Sequence, residues 1–147
     1  MIKRWHIQYL FSSFFSGKVL VIYGARQVGK TTLIQTFLEV TEQKSFYGTG
    51  DDKILRNILE SEDKTRIITS FQDYDLVVID EAQRIDHIGY SLKLLIDSLP
   101  DLRIIASGSS SFELANMVGE PLTGRKETLF LYPLSVLELK KEIGGMR

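Results

Sequence analysis

The sequence predicts an α/β fold in three layers, with a parallel five-stranded sheet covered by helices on both faces. Two continuous apolar runs, residues 19–23 and 76–79, are rich in β-branched side chains. Such runs are typical of strands that are buried on both faces. Amphipathic helical patterns alternate with these runs and with three shorter strand patterns. Because this alternation is typical of right-handed βαβ units, we expect the strands to run parallel.

Length and composition indicate one ordinary globular domain, which we expect to span residues 1–147. The chain has 18 basic and 19 acidic residues and a net charge of −1, so charge gives no argument for nucleic acid or an anionic membrane. It has no cysteine, which excludes disulfides and thiolate metal sites. No apolar run reaches the roughly 20 residues of a membrane span, and no signal-peptide cleavage site follows the N-terminal segment. We therefore expect a cytoplasmic protein with no membrane partner.

In chain order, the first half of the sequence predicts helices around two strands. Residues 2–15 have apolar side chains at helical spacing and should form a helix that ends near Gly17. The first strand follows at 19–23, and a long helix, with a helical pattern of apolar residues from Leu33, ends at about residue 40. A short strand at 43–47 comes next. Helices are then predicted at 53–61 and at 66–74, the first of them capped by Asp51 or Asp52.

The second half begins with the strand at 76–79 and continues the same alternation. A polar loop occupies 83–87, and a helix at 90–99 is closed by Pro100. The remaining predicted elements are a strand at 102–107, a short helix at 112–117, a polar loop at 119–126, a strand at 127–132 and a helix at 136–143.

The segment after the first strand fits the phosphate-binding pattern G-x-x-x-x-G-K-[ST]. Its residues are Gly24, Ala25, Arg26, Gln27, Val28, Gly29, Lys30, Thr31 and Thr32. Glycines let successive backbone N–H groups turn toward an anion, and the following helix adds its positive N-terminal end. We expect Lys30 to reach the terminal phosphates of a nucleotide and the Thr31 hydroxyl to hold Mg²⁺. The alternative interpretation is a glycine-containing turn that precedes a helix.

An acidic pair, Asp80 and Glu81, stands where the second apolar run ends. We expect Asp80 to hold Mg²⁺ through water beside Thr31. Glu81 is expected to orient and deprotonate a water that attacks the γ-phosphate. The alternative is a pair of residues that only caps a helix after the strand. Together with the phosphate loop, the pair predicts hydrolysis of a nucleoside triphosphate.

Three other positions carry further candidate side chains. The fourth strand ends in Ser107-Gly108-Ser109, and either serine could sense the γ-phosphate, or else cap the next helix. Arg125, on the loop before the last strand, could stabilise transition-state charge, or be an ordinary surface arginine. Asp51 and Asp52 either cap a helix or approach the metal.

At these motifs the chain resembles the AAA-type branch of P-loop ATPases, and most closely a prokaryotic family with a separate C-terminal domain. The likeness runs from about residue 4 to 138 and rests on Gly-x-Arg-Gln-x-Gly-Lys-Thr-Thr and Asp-Glu-x-Gln-Arg. The other matching segments are 107–110, 122–125 and 131–135. The resemblance implies a five-stranded parallel sheet, binding of ATP with Mg²⁺, and a role for Arg125. It also implies that the C-terminal domain and the helical lid have no counterpart within residues 1–147.

Three functions follow as hypotheses. The first is an ATPase that hydrolyses ATP to ADP and phosphate and uses the cycle to move a protein or nucleic-acid partner, as a monomer or a homo-oligomer. The second is a nucleotide-gated binding module with negligible turnover. The third, from another enzyme class, is a small-molecule phosphotransferase.

Overall fold

The computed structural model describes residues 17–24, 30–109 and 111–131. Within these ranges the strands are β1 (Val19–Gly24), β2 (Ser45–Thr49), β3 (Leu76–Asp80), β4 (Arg103–Gly108) and β5 (Lys126–Leu131). The helices are α1 (Lys30–Val40), α2 (Lys53–Leu59), α3 (Lys64–Phe71), α4 (Ile88–Ser98) and α5 (Ser111–Gly119), with a 3-10 turn at Ala82–Arg84. The helices predicted at 2–15 and 136–143 lie outside the described residues.

The five strands form one sheet in the order β2-β3-β4-β1-β5, and every neighbouring pair is parallel. The central strands β3, β4 and β1 consist almost entirely of buried residues. This arrangement confirms the predicted fold class. It also explains why the two long apolar runs predicted strands so clearly, because a strand covered on both faces has no polar side to alternate with.

The connections place helices on both faces of the sheet. The connection from β1 to β2 crosses the sheet in one direction, and the later connections run the other way. Because such crossovers are right-handed, α1 covers one face and α2 to α5 cover the other. The large core cluster agrees, since Val21, Ile79 and Ala106 belong to it together with apolar residues of α2 to α5. The buried α1 residues Leu33 and Ile34 are not part of that cluster.

Among the strands, β2 differs most from its prediction, lying two residues later than the expected 43–47. Gly48 and Thr49 continue the ladder by pairing with Ile79 and Asp80. A glycine near a strand end is ordinarily a sign of a loop. Here the position is crowded, because a Cβ on Gly48 would stand 2.9 Å from atoms of Leu55 and Phe46. Pairing with β3 therefore overrides the local signal.

Side-chain caps set the start of two helices. Asp52, one of the two predicted caps, accepts a hydrogen bond from the Ile54 backbone N at 2.9 Å and begins α2. Asp63 does the same for α3 through the Arg66 backbone N at 3.1 Å, so this helix begins two residues before the predicted 66. Across the described ranges, no helix is long and apolar enough to cross a membrane.

Candidate active site

The carboxyl ends of β1, β2, β3 and β4 meet at one edge of the sheet, called here the carboxyl edge. Successive side chains alternate between the two faces of a strand. Ile79 pairs with Ala106, so the next residues, Asp80 and Ser107, stand side by side on the opposite face. That is the face covered by α1, whose first turn contains Thr31. Sheet register therefore brings these three side chains together.

Asp80 is buried and accepts hydrogen bonds on both carboxylate oxygens. Oδ2 accepts from the Thr31 hydroxyl at 3.1 Å and from the Tyr47 hydroxyl at 2.9 Å. Oδ1 accepts from the Ser107 hydroxyl at 2.7 Å and from the Glu81 backbone N at 3.0 Å. Donors to a carboxylate stabilise its charge, and this offsets the loss of hydration on burial. The carboxylate is thereby held in one orientation beside the start of α1.

Tyr47 is a site residue that the sequence analysis missed. Burial, and next the Asp80 carboxylate, raise the pKa of Tyr47 to about 12, while a hydrogen bond from Gln35 acts in the opposite direction. The hydroxyl is therefore protonated at neutral pH and donates to Asp80. The sequence does not show on which face of the sheet Tyr47 lies. The pairing of Tyr47 with Val78 shows it, because Val78 and Asp80 lie on the same face of β3.

Glu81 occupies the left-handed region, with φ 51° and ψ 44°. This conformation costs a non-glycine residue about 1–2 kcal/mol and is most often kept at functional sites. Gly50 makes it possible, because a Cβ on Gly50 would lie 2.1 Å from the Glu81 carbonyl oxygen. The sharp turn directs Asp80 and Glu81 into different surroundings although they are adjacent in sequence.

The Glu81 carboxylate is buried against the end of β4. Its Oε1 accepts from the Ser109 backbone N at 3.0 Å, and its Oε2 accepts from the Ser109 hydroxyl at 2.9 Å. Gln83 Nε2 also lies 3.3 Å from Oε2. The two serines that the sequence left as alternatives thus have separate partners, with Ser107 on Asp80 and Ser109 on Glu81.

Residues 25–29 of the predicted phosphate loop, with Ala25, Arg26, Gln27, Val28 and Gly29, lie outside the described residues. The structure describes the residues on both sides of them. Gly24 ends β1, and the backbone of Lys30 begins α1. Thr31 and Thr32 stand exposed in the first turn of that helix. The predicted loop therefore starts and finishes at the carboxyl edge, beside Asp80.

Arg125 lies at the opposite, amino edge of the sheet. Its carbonyl accepts from the Val19 backbone N at 2.9 Å, directly before β5. Its side chain donates to Asp97 Oδ1 at 2.7 Å and to the Gly17 carbonyl at 3.4 Å. A loop that precedes a parallel strand lies at the amino edge, so the structure does not bring Arg125 to Asp80 and Glu81 of the same molecule.

The arrangement around Thr31 and Asp80 suits Mg²⁺ bound together with phosphates. No group of three or more His, Asp or Glu side chains within the described ranges could hold a metal. Mg²⁺ on a nucleotide needs only one or two protein oxygens beside phosphate and water. Thr31 and Asp80 supply a hydroxyl and a carboxylate oxygen 3.1 Å apart.

Asp51, by contrast, is 3.7 Å from Arg84 Nε in an exposed ion pair, and Asp52 serves as a helix cap.

Two surface cavities lie away from these residues, and Tyr90 and His87 help to line both. Their volumes are about 420 and 400 Å³. Glu60 and Glu62 help to line the first, and Glu120 the second. Neither is lined by Thr31, Asp80 or Glu81, so both cavities lie apart from the candidate site.

Comparison with known families agrees with this geometry. Residues 16–140 match the sequence profile described as the AAA domain. The chain is an AAA-type ATPase domain. The match covers β1 to β5 and therefore every candidate residue of the carboxyl edge. No curated protein sequence matches the chain.

Solved structures of similar fold include ATPases and replication initiators. The Walker-type ATPase PabY2304 of Pyrococcus abyssi has a TM-score of 0.63 and 19% identity, over 97% of this chain and 57% of its own. The replication initiator DnaA bound to AMPPCP and single-stranded DNA has a TM-score of 0.61 and 16% identity, over 86% and 44%. Domain III of DnaA from Thermotoga maritima has a TM-score of 0.59 and 17% identity, over 96% and 68%. The AAA domain thus spans about half the length of the first two of these proteins, which share its fold.

Proposed function

We propose that this AAA domain binds ATP with Mg²⁺ at the carboxyl edge and hydrolyses it to ADP and phosphate. The observation that carries the proposal is the contact between the Thr31 hydroxyl and Asp80 Oδ2 at 3.1 Å, with buried Glu81 next in the chain. The pair joins the first turn of α1 to the end of β3. Oxygen ligands of these two kinds, beside a second carboxylate, are what phosphoryl transfer from a nucleotide to water requires.

In this proposal the loop and the start of α1 bind the phosphates. Backbone N–H groups between Gly24 and Thr32 donate to phosphate oxygens, and the N-terminal end of α1 adds its partial positive charge. The Lys30 ammonium contacts the terminal phosphates. Thr31 directly, and Asp80 through water, would hold Mg²⁺, which when bound neutralises negative charge on the β- and γ-phosphates.

Glu81 acts as the general base. It accepts a proton from a water whose oxygen forms a bond to the γ-phosphorus, while the bond from that phosphorus to the β,γ-bridging oxygen breaks. In this proposal Ser109 orients the Glu81 carboxylate and releases it when the water arrives. Ser107 holds Asp80 in its orientation throughout. The products are ADP and inorganic phosphate.

In this proposal Arg125 acts only on the nucleotide of a second copy of the domain. Since it lies at the amino edge, it can reach a γ-phosphate only when a second copy presents its own carboxyl edge. Katanin, whose structure resembles this fold with a TM-score of 0.56, is a protein that self-assembles. A head-to-tail homo-oligomer of the present domain would bring the amino edge of one copy to the carboxyl edge of the next. Mixing Glu81→Gln with Arg125→Ala protein tests this, because turnover above that of either variant alone is expected only if the arginine acts between copies.

A second function, a nucleotide-gated binding module with negligible turnover, is favoured by one observation. Both carboxylate oxygens of Glu81 are occupied by donors from Ser109 and Gln83. A base whose lone pairs are taken by the protein has fewer left for a water. In this case ATP would change the contacts at the end of β4 without being consumed.

Phosphate release and nucleotide binding distinguish these functions. We expect Mg²⁺-dependent phosphate release from ATP by the wild-type domain, and release at background level from Glu81→Gln. Binding of MgATP without release above that background would favour the binding module. Transfer of labelled γ-phosphate to a small-molecule acceptor would instead indicate a phosphotransferase. If Lys30→Ala bound MgATP as tightly as wild type, the site itself would be wrong.

A further inference from the structure

Gln83 is a buried amide next to the proposed base. It stands in the 3-10 turn after β3 and is 7% exposed. Its Nε2 lies 3.3 Å from Glu81 Oε2. Its Oε1 is buried and has no hydrogen-bond partner within the part of the chain that the structure describes. The amide nitrogen therefore has a hydrogen-bond partner in Glu81, and the amide oxygen has none among the described residues.

Burial of the Gln83 Oε1 atom without a hydrogen-bond partner is unfavourable for folding. A buried acceptor without a partner costs about 1–3 kcal/mol, whereas an apolar side chain of similar size would fill the same space without that penalty. The surroundings accommodate the amide closely, because a Cβ on Gly108 would stand 2.5 Å from Gln83 Oε1 and 2.9 Å from Leu114. Packing alone does not explain why an amide stands here.

The orientation of the amide follows from its neighbour. If its oxygen and nitrogen were exchanged, a carbonyl oxygen would face the Glu81 carboxylate, and two acceptors would stand opposite one another. The nitrogen therefore faces Glu81. The unsatisfied Oε1 is then a direct consequence of directing a donor toward the carboxylate.

Backbone hydrogen bonds of the 3-10 turn fix the position of Gln83 relative to Glu81. The Arg84 backbone N donates to the Glu81 carbonyl, and the Ile85 backbone N donates to the Ala82 carbonyl, each at 3.1 Å. Gln83 and Glu81 therefore belong to the same closed turn. Ser109, the other donor to Glu81, stands on a separate segment after β4.

We propose that Gln83 is a positioning residue, which holds the Glu81 carboxylate in the orientation from which it receives the proton of the attacking water. This inference rests on the proposed role of Glu81 as the base. Gln83 touches neither nucleotide nor water in this scheme and acts through Glu81 alone. Its contribution should therefore appear in the chemical step and not in binding of ATP.

The test is Gln83→Met, which keeps the length of the side chain and removes both the donor and the unsatisfied acceptor. We expect kcat for phosphate release to fall by about tenfold to a hundredfold, as misplaced catalytic groups do. KM for ATP should stay within about twofold, and Tm should be equal or higher because the unsatisfied acceptor is gone. Gln72→Met, the same substitution at the exposed end of α3, is the matched control and should change neither kcat nor KM.

Two kinetic results would overturn the inference. One is a Gln83→Met protein with the kcat of wild type while Glu81→Gln is inactive. The other is a fall in kcat accompanied by a lower Tm and a raised KM, which would assign Gln83 to structure only. Both leave the proposed function standing, whereas equal phosphate release by wild type and Glu81→Gln would remove it.

A measurement without turnover tests the contact itself. The Gln83 side-chain amide signals can be assigned in nitrogen-15 spectra by their absence from Gln83→Met. In Glu81→Ala we expect the bonded amide proton to shift upfield and to exchange faster with water. Unchanged signals would overturn the inference whatever the protein does to ATP.

Discussion

The two edges of the sheet differ in how their charged side chains are exposed to water. At the carboxyl edge, Asp80 and Glu81 are 5% and 6% exposed. Donors from β2, β4 and α1 hold Asp80, and donors from Ser109 and Gln83 hold Glu81. At the amino edge, the side chains of Arg125 and Asp97 form a 2.7 Å ion pair while 36% and 47% exposed. Lys18 and Glu127 are further apart, at 4.0 Å, and similarly exposed.

This difference separates charges that organise a site from charges that cover a surface. An exposed ion pair contributes about 0–1 kcal/mol, because water screens it and two long side chains must be ordered. A buried carboxylate is unfavourable unless donors surround it, so its neighbours become necessary to the fold as well as to the site. Substitutions should therefore have large effects at the carboxyl edge and small effects at the amino edge.

The largest effect is expected from Glu81→Gln. Loss of the general base should lower kcat by about a hundredfold to ten-thousandfold, while MgATP still binds. Phosphate release and nucleotide titration measure the two quantities. Glu127→Gln makes the same change at the amino edge and should leave both unchanged. Equal losses in the two variants would contradict the contrast between the edges.

Ser107→Ala should come next, through stability. The hydroxyl is buried and donates to Asp80 Oδ1 at 2.7 Å, so its removal leaves a buried carboxylate with one donor fewer. We expect the free energy of unfolding to fall by about 1.5–3 kcal/mol, as for hydrogen bonds to charged groups. Urea denaturation without nucleotide measures it. Ser70→Ala, which removes a partly exposed hydroxyl from α3, should change it by less than about 0.5 kcal/mol.

Tyr47→Phe tests whether the support of Asp80 extends to the proposed metal. The substitution removes only the hydroxyl that donates to Asp80 Oδ2 at 2.9 Å. We expect about tenfold more Mg²⁺ to be needed for half-maximal phosphate release, as for residues that orient a metal ligand. Tyr90→Phe, at an exposed tyrosine on α4, is the control. An unchanged Mg²⁺ requirement in Tyr47→Phe would show that Thr31 and Ser107 orient Asp80 without it.

Asp97→Asn should have the smallest effect. It removes the charge that pairs with Arg125, and we expect a loss of about 0.2–1 kcal/mol in the free energy of unfolding at low salt. The loss should shrink at about 1 M salt, where exposed charges are screened. Denaturation at both salt concentrations measures it. A loss above about 2 kcal/mol that salt does not change would place this pair in the same class as Asp80.

Much of the fold could be predicted because the burial of each helix and strand is visible in the periodicity of its own apolar residues. Each of the five strands begins within two residues of its predicted start, and so do the helices α2 to α5. Periodicity reports burial, and burial on both faces is a property of the central strands. The two-residue shift of β2 was decided by its pairing with β3, because a short strand that contains glycine carries little local signal.

The candidate site was predictable only where its residues are adjacent in a motif. Asp80 and Glu81 were recognisable from their place after an apolar run, and Thr31 from the loop pattern. Tyr47 had no such signal, because its role comes from lying next to Asp80 across the sheet. The position of Arg125 before β5, and so at the amino edge, could have been inferred from the order of loop and strand in a parallel sheet.

By itself, the sequence determined the class of fold, the order of its elements and the motif residues that meet at the carboxyl edge. Those follow from side-chain periodicity and from the rule that parallel strands end together. Only the tertiary structure decided which side chains touch there. Sheet register paired Ser107 with Asp80, and the left-handed turn at Glu81 directed that carboxylate to Ser109 and Gln83. Register and turn conformation depend on contacts between distant parts of the chain, which no local pattern contains.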